Sequence, residues 1–136
     1  MNQPVPTKSA LYNISRVLLG LMFVVAGVNG FLLFLPPPPP SMMPPVVVQW
    51  NGAMFATHYV WMTSGFQVLA GILLLVNRYV LVALIILAGV LVNILTFHIS
   101  MWPQTLFPLP IVVVILWFLT CWPIRDRFAP LFISKL

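Results

Sequence analysis

Acidic residues are almost missing: the 136 residues include one Asp or Glu, Asp126, against six Lys and Arg. That scarcity excludes a carboxylate pair for acid–base work and a proton relay through carboxylates inside a membrane. Cysteine is nearly as scarce. Cys121 stands alone, so neither an intrachain disulfide, a CxxC redox pair nor a thiolate cluster can form. Charge of either sign amounts to 5% of residues, where a soluble domain needs about 25% to clothe itself in water. The six basic residues are scattered between apolar runs, which is no surface for nucleic acid. A glycine-rich phosphate loop and a nucleophile with a local base are missing too, and no catalytic residue is assigned.

What the chain has instead is apolar length. Hydrophobic residues make up 62% of it, and on both sides of Asn77-Arg78 they extend for the roughly 20 residues that a helix needs to cross a hydrocarbon core. Spans are expected at about 10–35, 54–76, 79–101 and 105–123, with a proline-rich outer loop at 36–53, all in a single domain, 1–136. Lys8, Arg16, Arg78, Arg125, Arg127 and Lys135 then fall on one side, while the other two connections carry no Lys or Arg. The positive-inside rule makes that side cytoplasmic. The expected fold is all-α, an integral membrane antiparallel four-helix bundle with both termini cytoplasmic. The first apolar run is too long for a cleaved signal peptide and is expected to stay as a span.

Small and polar residues mark the inward faces. Gly20, Gly27 and Gly30 form a stripe on the first span where another helix can come close. Thr57, Ser64, Gln67 and Gly71 do the same on the second, and Gly89, Asn93, Thr96 and Ser100 on the third. Gln67 lies near mid-membrane, where an unbonded amide costs a few kcal/mol, so a partner across the interface is expected. Asn29 lies near the outer end of the first span. His58 is about 19 residues before Asn77 and His98 about 20 after Arg78, which sets both histidines at one depth, roughly 30 Å from the turn. Such a pair suits axial haem ligation, or copper with nearby methionines. The angles argue against both metals: His58 is about 180° around its helix from Gln67, and His98 about 140° from Asn93, off the inward stripes. Imidazoles at the headgroup level are comfortable without a metal, and hydrogen bonding, including to a quinone, is the functional alternative.

Arg16-Val17-Leu18-Leu19-Gly20, Gly27-Val28-Asn29-Gly30-Phe31, the stretch Gly71 to Arg78, Val92-Asn93-Ile94 with Phe97-His98, and Arg125-Asp126-Arg127-Phe128 with Pro130-Leu131 occur in an order and spacing that resembles the DoxX family of small four-helix membrane proteins. The resemblance covers nearly the whole chain. It implies a link to membrane quinone oxidoreductases and a bacterial or archaeal inner membrane. Relatives often carry lysine at the position of Gly30 and glutamate at those of Gln67 and, nearby, Trp117; this chain lacks these charges. The missing carboxylates and the uncharged outer loop favour an accessory, non-catalytic subunit of a larger membrane electron-transfer complex. The alternatives are a quinone-binding redox subunit, with His98, Asn93 and Gln67 on the carbonyls, and a small-solute carrier.

Overall fold

The computed structural model describes residues 7–135 and is all-helical, with no strand among them. Five α-helices follow one another: α1 (Thr7–Leu32), α2 (Pro45–Ala56), α3 (Val60–Leu75), α4 (Val80–Met101) and α5 (Leu109–Cys121). Short 3-10 segments occupy Pro40–Met42 and Pro103–Thr105, and a longer one, Trp122–Phe132, continues α5. Three stretches are long and apolar enough to cross a membrane: Ala10–Leu32, Val80–Met101 and Leu109–Phe132. The pair α2 and α3, bent by 80°, passes the same test together and makes the number four when it is counted as one span.

That bend corrects the expectation of one straight span over 54–76. Within the segment expected to be a loop, Pro44 is extended (φ −55°, ψ 145°) and Pro45 opens α2, at the first helical position where a missing N–H is harmless. α2 ends without glycine or proline. Thr57 Oγ1 donates to the Ala53 carbonyl at 2.7 Å, and His58 turns left-handed at φ 58°, a region that histidine enters more readily than most side chains. Hydropathy averages over such a turn and cannot see it. Ser64 and Gly65 lie inside an unbroken α3. The proline run before α2 behaves as expected, with Pro39 in polyproline II geometry (φ −62°, ψ 146°).

The turn at Asn77-Arg78 forms as expected, and its bonds show why it is so short. The Arg78 N–H reaches the Leu73 carbonyl at 3.1 Å and the Asn77 N–H the Leu74 carbonyl at 3.2 Å, with Asn77 left-handed at φ 54°. This is a Schellman ending, in which asparagine is the usual substitute for glycine.

Packing between α1 and α3 is backbone against backbone. A Cβ on Gly20 would lie 3.0 Å from the Gly71 carbonyl oxygen, one on Gly27 2.7 Å from that of Ser64, and one on Gly30 1.8 Å from Ser64 Oγ. The pairing of 20 with 71 and 27 with 64 makes the two helices antiparallel. Leu19 and Phe23 of α1, Ala70 and Leu74 of α3, Ala83, Leu84 and Leu87 of α4 and Val113 of α5 fill the core beside this seam. Lipid is as apolar as leucine, so close approach rather than exclusion of water holds such helices together. Trp117 adds a polar tie, its indole N–H donating to the Leu84 carbonyl at 2.9 Å.

Arg16, one of the six basic residues expected on one side of the membrane, is packed into the bundle at the end of α3 and is 7% exposed. Its guanidinium donates to the Leu74 carbonyl and, at 3.4 Å, to Leu75, the last residues of α3. Helix ends leave such carbonyls unpaired and carry partial negative charge, so a cation from α1 is well matched there. Gly71→Val should lower the stability of the detergent-solubilised protein by about 1–3 kcal/mol, read by thermal unfolding. Gly65→Ala, with open space around its added methyl, should leave it unchanged or raise it; equal stability of Gly71→Val and wild type would refute the close seam.

Candidate functional site

α1, α3, α4 and α5 leave a cavity of about 400 Å³ between them. Met22, Phe23 and Ala26 form the α1 wall, Ile94 belongs to α4, and Leu109, Pro110 and Val113 close it from α5. Three polar side chains interrupt this apolar lining: Gln67 of α3, His98 of α4 and Thr105 from the 3-10 turn before α5. Small-molecule sites have this composition, a greasy enclosure with a few directed polar groups, and volumes from about 300 Å³ upward.

The hydrogen bonds assign a direction to His98. Its Nδ1 lies 2.6 Å from Thr105 Oγ1, and the Thr105 hydroxyl is also 2.8 Å from the Trp102 carbonyl. A carbonyl only accepts, so the single hydroxyl proton of Thr105 goes to Trp102, and the proton between Thr105 and His98 resides on Nδ1. Nε2 is left with a lone pair and no partner among the described residues. His98 therefore meets a ligand as an acceptor. Phe97 stands edge-on to the ring, with centroids 5.2 Å apart.

Gln67 is half-buried on the cavity wall, and no hydrogen bond joins its amide to another described residue. The partner expected across the helix interface is not there, because α1 presents Met22, Phe23 and Ala26 on this side. Leaving an amide unpaired in apolar surroundings costs on the order of 1–3 kcal/mol, and a ligand with a carbonyl or hydroxyl removes that penalty.

The other sequence candidates divide. Asn93 is exposed and faces a neighbouring groove of about 500 Å³ with Trp50, Met54, Thr63 and Gly89. It meets His98 only at a smaller hollow of about 200 Å³ that also involves Trp50 and Phe97. The roughly 140° between Asn93 and His98 thus separates two faces of α4, and the face carrying His98 is the one that joins Gln67. Asn29 is turned to the backbone: its Oδ1 accepts the Leu35 N–H at 2.8 Å and holds the chain as it leaves α1. His58 forms the bend after α2, exposed and edge-on to Trp61 at 4.5 Å. It lines neither cavity that His98 lines, so equal depth does not bring the two imidazoles to one site.

Thr105 was missed. Seven residues and a Trp-Pro turn separate it from His98, a spacing that corresponds to no helix face; only a histidine followed closely by a hydroxyl residue across a turn hinted at it. The buried pair Ser15 and Thr120, 3.1 Å apart, was missed as well and ties α1 to α5 away from the cavity. Thr105→Val should release His98 Nδ1, and selective ¹⁵N labelling of histidine reads this directly. Wild type is expected to show a protonated Nδ1 and bare Nε2 at position 98, with exchange between tautomers in the variant; the opposite tautomer in wild type would refute the assignment. No protein-family model, curated protein or solved structure matches this chain, so the chemistry of the cavity has to carry the reading of its function.

Proposed function

We propose that this chain is a DoxX-like integral membrane protein that holds a quinol in the cavity and serves a larger membrane electron-transfer complex as an accessory, non-catalytic subunit. In this reading the bent α2–α3 pair counts as one span of an antiparallel four-helix bundle, both termini are cytoplasmic, and the membrane is the inner membrane of a bacterium or archaeon. One observation carries the proposal: Gln67, whose amide has no hydrogen-bond partner among the described residues, and His98, whose Nε2 has none, line the same largely apolar cavity. A semi-planar ring with oxygens at opposite ends satisfies both, its hydroxyl donating to His98 and its other oxygen accepting from the Gln67 NH₂ group. The apolar walls receive the ring faces and the start of an isoprenoid tail. With three polar side chains among ten lining residues, the enclosure offers little to a polar solute in transit.

Mass spectrometry of the protein extracted from its native membrane in mild detergent tests both halves. Larger membrane subunits in stoichiometric amount and a bound quinol are expected; the chain recovered alone and empty would overturn the reading. A short-chain quinol titrated onto the purified protein should bind about 5- to 150-fold more weakly to Gln67→Leu and to His98→Phe, the equivalent of roughly 1–3 kcal/mol for a deleted partner. Asn93→Leu, in the neighbouring groove, should bind as wild type does. Unchanged affinity in both cavity variants would remove the ligand role. A reporter active only in the cytoplasm should work when fused after residue 136 and fail when inserted within 36–44; the reverse would overturn the orientation.

A further inference from the structure

At the opposite end of the helices from His98, the α3–α4 turn and the C-terminal 3-10 segment enclose a second kind of cavity, about 360 Å³ in volume. Asn77, Tyr79, Val80 and Leu81 form one wall; Ile124 and Arg127 form the other. Several of its polar groups are donors. Tyr12 hydroxyl donates to Asn77 Oδ1 at 3.2 Å, so the amide NH₂ of Asn77 is the end left free. α4 begins at Val80 without a side-chain cap and without an acidic residue in its first turn, so its first N–H groups have no side-chain acceptor among the described residues. Arg127 adds a full positive charge. Asp126 is exposed and does not line the cavity. Neighbouring Arg125 is engaged elsewhere, donating to the Trp122 carbonyl at 2.9 Å and stacking on its ring at 4.7 Å.

Val80, Leu81 and Ile124 make the remainder of the lining apolar. Positive potential beside an apolar wall, at the helix ends where Arg16 and Arg78 also gather, matches an anion that carries a hydrocarbon chain. We propose that this cavity binds the headgroup phosphate of an anionic phospholipid, held by Arg127, the Asn77 amide and the N-terminus of α4, with the acyl chains leaving along Val80, Leu81 and Ile124. In the orientation proposed above this end faces the cytoplasmic leaflet, where anionic lipids attract basic residues.

Native mass spectrometry of the full chain, exchanged into micelles with equal amounts of phosphatidylglycerol and phosphatidylcholine of identical acyl chains, tests the site. It does so independently of orientation and of the quinone cavity. Wild type should retain phosphatidylglycerol preferentially. Arg127→Gln should reduce that preference about fivefold, the factor corresponding to one basic contact at about 1 kcal/mol. Asn77→Gly, which preserves the left-handed turn, should also reduce it, and it decides the matter if Arg127→Gln fails to fold. Arg125→Gln should leave the preference intact. Equal retention of the two lipids by wild type would overturn the proposal, as would an equal loss in the Arg125 and Arg127 variants, which would indicate surface charge without a site. Displacement of the lipid by millimolar inorganic phosphate would overturn the lipid assignment and make this a free-phosphate site.

Discussion

A guanidinium set into the packed interior governs how the helices meet. Arg16 reaches out of α1 to the last carbonyls of α3, and Tyr12, one turn earlier, reaches Asn77 in the turn that follows. These two contacts seat α1 against the α3–α4 hairpin at a fixed height. With that height fixed, Gly20 meets Gly71 and Gly27 meets Ser64, and any slip by one residue would bring side chains into a seam with room only for backbone. A buried cation is expensive unless its bonds are made, so the same group that closes α3 also penalises wrong registers.

The register in turn decides which polar groups remain unanswered. In the α1–α3 seam, Ser64 lies under Gly30 so closely that a larger residue at 30 has no space while serine stands at 64. Further along the same helix, Gln67 turns past the seam toward α4 and α5, and there the wall of α1 is Met22, Phe23 and Ala26. Thr105 holds His98 from behind, so the imidazole and the amide differ in kind as well as in position, one accepting and the other able to donate. A site that recognises two unlike oxygens through two unlike partners has a direction built into it.

Helical content, the apolar spans, the tight turn at Asn77-Arg78 and the glycine stripe of the first helix were legible in the sequence, because each depends on local chemistry or on a period of 3.6 residues. The bend at His58 was not, since Thr57 and His58 break the helix through a side-chain bond and a left-handed residue and not through glycine or proline. The burial of Arg16 was illegible for another reason. Its partners are backbone carbonyls, which have no letter in a sequence. At the cavity, angular reasoning separated Asn93 from His98 but set His98 apart from Gln67 as well, because angles within one helix say nothing about how two helices are rotated against each other. Thr105 lay in a turn, beyond the reach of any periodic argument.

The 80° break before α3 leaves the helices unequal in height. At 1.5 Å per residue the 16 residues of α3 rise about 24 Å, against roughly 33 Å for the 22 residues of α4 and about 30 Å for a typical hydrocarbon core. In a bilayer, lipid beside α3 therefore meets a hydrophobic wall several ångströms shorter than lipid beside α4. Folded over at the top of that short wall, α2 is a shelf that the leaflet must either thin to reach or cover. The protein is thus shorter beside α3 than beside α4, and that difference favours thin bilayer or a neighbouring protein along the α2–α3 side.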